Sequence, residues 1–392
     1  MKYEYILHEK TIFVICGFAV LPADRKKSTI LIPYEGGIPM KNYDIRALDK
    51  IRLSGRFDPE QTGFPMMWSG SGAEMIVSAT VLEVEISCKY QSHKPYLSFE
   101  VDGLRAQTFS PIPGKHWYNV FLNLDGSKKH HVRIIKETQP FGNDAAAVLT
   151  LLRLRTDGTF HQLPVAKRRI EFIGDSVTSG EGGRGPVSFM EWVPMCFCAS
   201  DNYTRMTADA LKAEYQVVSQ SGWGVYCGWD NHPDSNLPRI YDQICGPVNA
   251  QGAEKSYDFS FNPDTVVIAL GANDHNAMKG EPYTDPQSGN VYKLSDNDEG
   301  RQKYEDACLS FLQHLHKINP GARLVWVSYF TKGTVADCIQ KAIDRMRASG
   351  VEVDYIVPFD FENYGRGGMG SRSHPGLMSH KRIAKALIQL LK

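Results

Sequence analysis

Four short segments combine residue types that could do chemistry. In residues 170–176 (IEFIGDS), a serine follows a short apolar run directly, and Gly174 permits a sharp turn there. Ser176 could then stand exposed at the head of the next helix. Residues 218–224 (VSQSGWG) form a glycine-rich turn in which backbone N–H groups of Gly222 or Gly224 can approach a ligand closely. Residues 269–274 (ALGAND) end an apolar run with an amide, and Asn273 at that point can donate N–H to a developing oxyanion. His374, in Ser373-His374-Pro375-Gly376, has the chemistry of a general base. Each segment also has a plainer reading. Asp175 or Ser176 could merely cap a helix, the glycine stretch and Asn273 could be ordinary turns, and His374 a surface histidine.

The elements that must carry these residues fall into two parts with different periods. Up to about residue 155, short runs alternate apolar and polar residues, as half-buried antiparallel strands do: 74–82, 83–88, 96–101, 117–122 and 131–135. Turn signals such as Ser69-Gly70-Ser71-Gly72, Asp102-Gly103 and Asp125-Gly126 separate most of them. No turn signal divides the first two, which allows one long or bulged strand. The pattern predicts a β-sandwich of the jelly-roll type over residues 1–160. A linker is expected near 156–168. After Pro164, strands and helices alternate: strands at 169–173, 215–218, 264–270, 323–329 and 352–357, and helices at 204–213, 299–318, 335–349 and 379–391. That order predicts a parallel α/β sheet covered on both sides, over residues 161–392. All four chemical segments then fall at the carboxyl ends of strands or just before a helix, where open parallel sheets bind ligands.

The chain has 392 residues, long enough for two cores. Lys plus Arg and Asp plus Glu number 44 each, so no basic excess exists to attract nucleic acid. The apolar run 12–21 is about half a membrane span and follows Glu4 and Glu9, so it reads as a strand and not as a signal peptide. No other run approaches membrane length. Eight scattered cysteines make no disulfide framework, which fits small apolar thiols in a reducing cytoplasm. Cys196 and Cys198 flank Phe197, and Asp230, His232 and Asp234 lie close together, but neither set closes a metal site. No metal and no cofactor are expected. Trp326 reads as core, and His130 and His131 as surface residues on a sandwich strand.

In their order and common location, the four segments resemble the four blocks of the SGNH hydrolases, with Ser176, Gly222, Asn273 and His374 at the naming positions and Gly224 as a substitute for Gly222. A sandwich ahead of such a domain resembles carbohydrate esterase family 2. Ser54-Gly55-Arg56, Trp68-Ser69-Gly70-Ser71-Gly72, Val101-Asp102-Gly103 and Ile135-Lys136-Glu137-Thr138 extend the likeness over nearly all of the chain from about residue 50. The resemblance implies a flavodoxin-like three-layer catalytic domain and a metal-free esterase that removes acetyl groups from polysaccharides such as xylan and mannan.

It further implies acyl transfer by Ser176 with His374 as base. The oxyanion would be held by the N–H of Ser176, the N–H of Gly222 and the Asn273 amide. SGNH enzymes usually carry an Asp three positions before the histidine, and here Ser371 stands there. The imidazole is therefore expected to be oriented by a main-chain carbonyl, with Asp360 and Glu362 as alternative acids. Trp223, Tyr226, Trp229 and Asp230 follow the glycine turn and are expected to line the sugar site, although the two tryptophans could equally be buried packing. The expected partner is an acetylated oligosaccharide or polysaccharide, not nucleic acid or a membrane, and a homo-oligomer is left open. The sandwich is expected to pack on the catalytic part. Two other readings remain: a lipase or thioesterase on the same scaffold, and a carbohydrate-binding protein with an inactive esterase domain.

Overall fold

The computed structural model describes residues 39–144, 146–247, 253–360 and 368–392. The strand expected at 12–21, Cys16 and Glu362 lie outside the described residues.

Among the described residues, eleven strands come first: β1 (Lys41–Asp44), β2 (Arg52–Ser54), β3 (Phe64–Met66), β4 (Gly72–Ser78), β5 (Val81–Lys89), β6 (Leu97–Val101), β7 (Leu104–Phe109), β8 (Gly114–Leu122), β9 (His130–Lys136), β10 (Val148–Thr156) and β11 (Thr159–His161). They form two antiparallel sheets. One has the order β1-β10-β5-β8 with β3 also on β10, and the other β11-β4-β9-β6-β7 with β2 also on β4. Alternate residues of each strand point inward. Met75, Val77, Val84, Ile86, Phe99, Val132, Ile134, Leu149 and Leu151 thereby close a common core.

Residues 74–88 are not one long strand. The chain breaks at Ala79-Thr80 and its two halves join opposite sheets. The turn is held from afar: Asp157 accepts N–H bonds from Thr80 and Val81, each at 3.0 Å. No local turn residue was needed, so the break left no trace in the pattern. His130 is not a surface residue either. It is buried, its Nδ1 lies 2.8 Å from Asp102 and its Nε2 3.1 Å from the Asp125 carbonyl.

The remaining chain runs β12 (Arg168–Gly174), α1 (Ser176–Ser179), α2 (Tyr203–Leu211), β13 (Ala213–Ser219), α3 (Leu237–Ile240), β14 (Thr265–Ala269), α4 (Ala272–Lys279), a small hairpin of β15 (Tyr283–Thr284) and β16 (Val291–Tyr292), α5 (Asp298–Ile318), β17 (Arg323–Val327), α6 (Thr334–Ala348), β18 (Val353–Ile356) and α7 (Leu377–Leu391). Five strands make a parallel sheet in the order β13-β12-β14-β17-β18. Both faces are buried. Ile173, Val266, Ile268 and Trp326 pack on α5 and α6, while Phe172, Val267, Val325 and Val327 pack under α7 beside Tyr203 of α2. A strand covered on both faces cannot alternate, which is why 264–270 reads as a continuous apolar run. The strand order reverses between β12 and β14, and a crevice opens at that switch point.

The two parts meet through buried charge. Arg56 donates to Glu171 at 3.0 Å, both side chains being buried. Glu100 pairs with Arg205 at 2.6 Å. Glu137 accepts from Arg184 at 2.9 Å and from the Ser200 N–H at 3.0 Å. Trp68 Nε1 donates to the Ile244 carbonyl at 2.7 Å. Residues from three of the four sandwich segments that carry the family likeness therefore lie in this seam.

Candidate active site

β12 ends at Gly174, where a Cβ would stand 2.0 Å from Thr178 Oγ1 and 2.9 Å from the Ala269 carbonyl, so only glycine lets the turn close. Asp175 caps α1 by accepting the Val177 N–H at 3.0 Å. Its carboxyl is fully buried, and burial pushes its pKa up to about 7. Ser176 follows at the rim of a cavity of about 780 Å³ that is also lined by Gly222, Asn273 and His374. The structure thus brings together the four residues singled out in the sequence.

Ser176 Oγ lies 2.9 Å from His374 Nε2, and His374 Nδ1 lies 2.8 Å from the Arg372 carbonyl. A carbonyl can only accept. Nδ1 therefore carries the proton, and Nε2 is left with a lone pair for the serine hydroxyl. Arg372 and Ser373 both adopt left-handed backbone, with φ of 54° and 56°. Two such non-glycine residues in a row are rare and costly, and they turn the carbonyl toward the imidazole. The Ser371 N–H donates to Gly182 O at 2.9 Å, away from the ring. Asp360 is committed elsewhere, since its Oδ2 accepts from the Thr331 hydroxyl.

Gly222 has φ +81°, and a Cβ there would meet Trp229 Cδ1 at 3.0 Å. Gly224 faces away: a side chain on it would run into Asp274 at 2.5 Å. Asp274 is wholly buried and accepts N–H bonds from Val225 at 2.9 Å and Tyr226 at 2.8 Å, so it fixes the loop that presents Gly222. Burial raises its pKa to about 6 in spite of those donors. Asn273, at the start of α4, gives one amide hydrogen to the Trp223 carbonyl at 2.8 Å, leaving its second for the cavity.

The expected sugar-contacting residues separate. Trp223 and Trp229 line the cavity, Trp229 with 58% of its surface exposed. Tyr226 is not at the wall. It packs against the core beneath the sheet, because Asp274 pins its backbone. Asp230 lines a neighbouring hollow of about 560 Å³ that shares Trp229, Asn276 and Lys279 with the first. Asp230, His232 and Asp234 form a hydrogen-bonded turn, with His232 N on Asp230 Oδ1 at 3.2 Å and Asp234 N on His232 Nδ1 at 3.2 Å. Gln139, Glu181, Trp192 and Arg372 also line the cavity and were not singled out in the sequence. Gln139 comes from the sandwich part, and its Oε1 accepts both the Ser221 N–H and its hydroxyl at 2.8 Å. No local pattern marks such residues, because only packing brings them to the crevice.

A parallel sheet with a serine–histidine pair and amide donors at its switch point is the arrangement of the SGNH-type hydrolases. The profile of the carbohydrate esterase 2 N-terminal family matches residues 53–164. The chain is similar over its length to the structure of an acetyl xylan esterase from the rumen bacterium Butyrivibrio proteoclasticus. The two are 32% identical, 90% of this chain and 97% of that one are covered, and the TM-score is 0.86. An acetylxylan esterase / glucomannan deacetylase of Cellvibrio japonicus is 26% identical over 294 residues, 71% of this chain and 73% of that one. Cellulase/esterase CelE of Acetivibrio thermocellus is 25% identical over 353 residues, and the chain spans only 39% of that enzyme's length. The protein belongs to carbohydrate esterase family 2 and is a carbohydrate esterase.

Proposed function

We propose that the protein removes O-acetyl groups from plant-type polysaccharides or oligosaccharides such as xylan and mannan; the names of its relatives give acetylxylan and glucomannan. The Ser176–His374 contact at 2.9 Å carries the reading. His374 takes the Ser176 proton as Oγ attacks the acetyl carbonyl. Ser176 N–H, Gly222 N–H and the free Asn273 amide hydrogen receive the oxyanion. The imidazolium then protonates the departing sugar oxygen, and water, activated by the same histidine, releases acetate from the serine. The catalytic machinery is a dyad in which the Arg372 carbonyl fixes the tautomer. Trp223 and exposed Trp229 offer rings to sugar faces. The hollow beyond Trp229 shares Trp229, Asn276 and Lys279 with the cavity and offers room for a longer glycan. In this reading residues 1–160 are a jelly-roll module and 161–392 the catalytic domain.

The test is acetate release from acetylated xylan and glucomannan, together with hydrolysis of 4-nitrophenyl acetate. Wild type should release acetate, and Ser176→Ala should lose essentially all turnover with an unchanged fold, because Ser176 is the hydroxyl that stands on His374 Nε2. A Ser176→Ala enzyme that keeps most of its rate sinks the mechanism. Hydrolysis of the small ester without any release from glycans sinks the substrate class.

A further inference from the structure

The dyad leaves a physical question open: the protonated His374 has no carboxylate at Nδ1, only a neutral carbonyl. A carbonyl sets the tautomer, but it stabilises an imidazolium less than an acid does. Glu181 stands on the other side. It follows α1, its N–H donates to the Ser176 carbonyl at 3.0 Å, and its side chain is 95% buried at the cavity wall. Its Oε1 lies 3.9 Å from His374 Nε2, too far for a hydrogen bond and close enough for charge to act. The same oxygen accepts from Arg372 Nη1 at 2.9 Å. The residue whose carbonyl orients the imidazole therefore also holds, through its guanidinium, the carboxylate that faces it.

We propose that Glu181 is the displaced electrostatic partner of His374, a positioning residue that stabilises the imidazolium from its Nε2 side, with Arg372 setting how much of that negative charge the ring feels. The inference rests on the acyl-transfer reading above. Three observations favour it over a plain structural ion pair. Glu181 is buried against the reacting atoms and not at the surface. It stands near the nitrogen that gains the proton during attack. Its partner Arg372 retains 36% of its own exposure, so water tempers the cation more than the anion. Other titratable groups near the site arrange themselves around this pair. His380 of α7 lies within electrostatic reach of His374, but burial holds its pKa down to about 4, so it stays neutral. Asp175 lies behind Ser176, and His275 and Lys279 of α4 look into the cavity from across it.

The charge model makes signed predictions. Replacing Glu181 by the isosteric Gln removes a negative charge from beside the imidazolium. The His374 titration should move to lower pH, and kcat should fall on the order of tenfold with KM for 4-nitrophenyl acetate unchanged. Arg372→Gln keeps the main-chain carbonyl and frees the Glu181 charge, so the titration should move to higher pH. Both shifts are read twice: in the acid limb of kcat/KM, and by NMR of the His374 imidazole, which needs no turnover. Opposite shifts in the two variants support the proposal. A titration that stays in place in both, or moves the same way in both, overturns it. So does an E181Q enzyme that changes only KM for acetylated glycans, which would make Glu181 a sugar contact. If wild type hydrolyses no ester yet the NMR shifts appear, the functional reading falls and the charge coupling stands.

Discussion

The serine side and the histidine side of the cavity are held by opposite kinds of structure. Ser176 and Asn273 sit directly beyond β12 and β14, neighbouring strands of a sheet buried on both faces, and Gly222 follows β13 by a short turn. Their positions follow from hydrogen-bond register: Gly174 pairs with Ser219 on one side and with Ala269 on the other. His374 sits in a loop with two left-handed residues, outside the five-stranded sheet and closed on itself by a single bridge between Met369 and Pro375. Its loop is fixed by contacts with residues 182–189, through Ser371 N on Gly182 O and Arg372 N on Phe189 O, both at 2.9 Å. That support is in turn pinned by the sandwich, where buried Glu137 holds Arg184 and Ser200. The proposed oxyanion donors are thus positioned by the sheet, while the proposed base depends on the seam between the two parts.

The sharpest way to test the sheet-held side is Asn273→Ala. In the proposed mechanism the second amide hydrogen serves the oxyanion alone, so kcat should fall about 100- to 1,000-fold with little change in KM and an unaltered circular dichroism spectrum. An effect confined to KM would place Asn273 on the ground-state substrate instead. The support of the histidine side is broken by Glu137→Ala. That change leaves Arg184 and two Ser200 donors without their buried acceptor and should cost about 3 kcal/mol in denaturant unfolding. If the unfolding midpoint does not move, the seam does not brace this loop. The smallest effect is expected from Asp360→Asn. Its carboxylate serves Thr331, so kcat should drop by less than about tenfold. A loss near 1,000-fold would reveal a triad acid and show that the histidine side is not held by its own loop carbonyl.

Those contrasts track what could be read in advance. Strand and helix periods located the parallel sheet to within a residue or two at most ends, as with 299–318 against Asp298–Ile318. Element-end residues came with it, because Ser176 and Asn273 are placed by the strands that precede them. Trp223 and Tyr226 shared one signal, aromatic residues after a glycine turn, and diverged because Asp274, in the first turn of α4, holds the Tyr226 backbone.

The sequence by itself determined the order of elements, the chemistry of Ser176, Asn273 and His374, and the family likeness, since each rests on local pattern or on short contiguous motifs. The tertiary structure alone decided that 74–88 divides between two sheets through Asp157, that Gln139 of the sandwich reaches the crevice, and that Glu181 comes within 3.9 Å of the imidazole. These are contacts between residues tens to nearly two hundred positions apart. Local propensity carries no information about them, because their energy exists only once the two parts have packed.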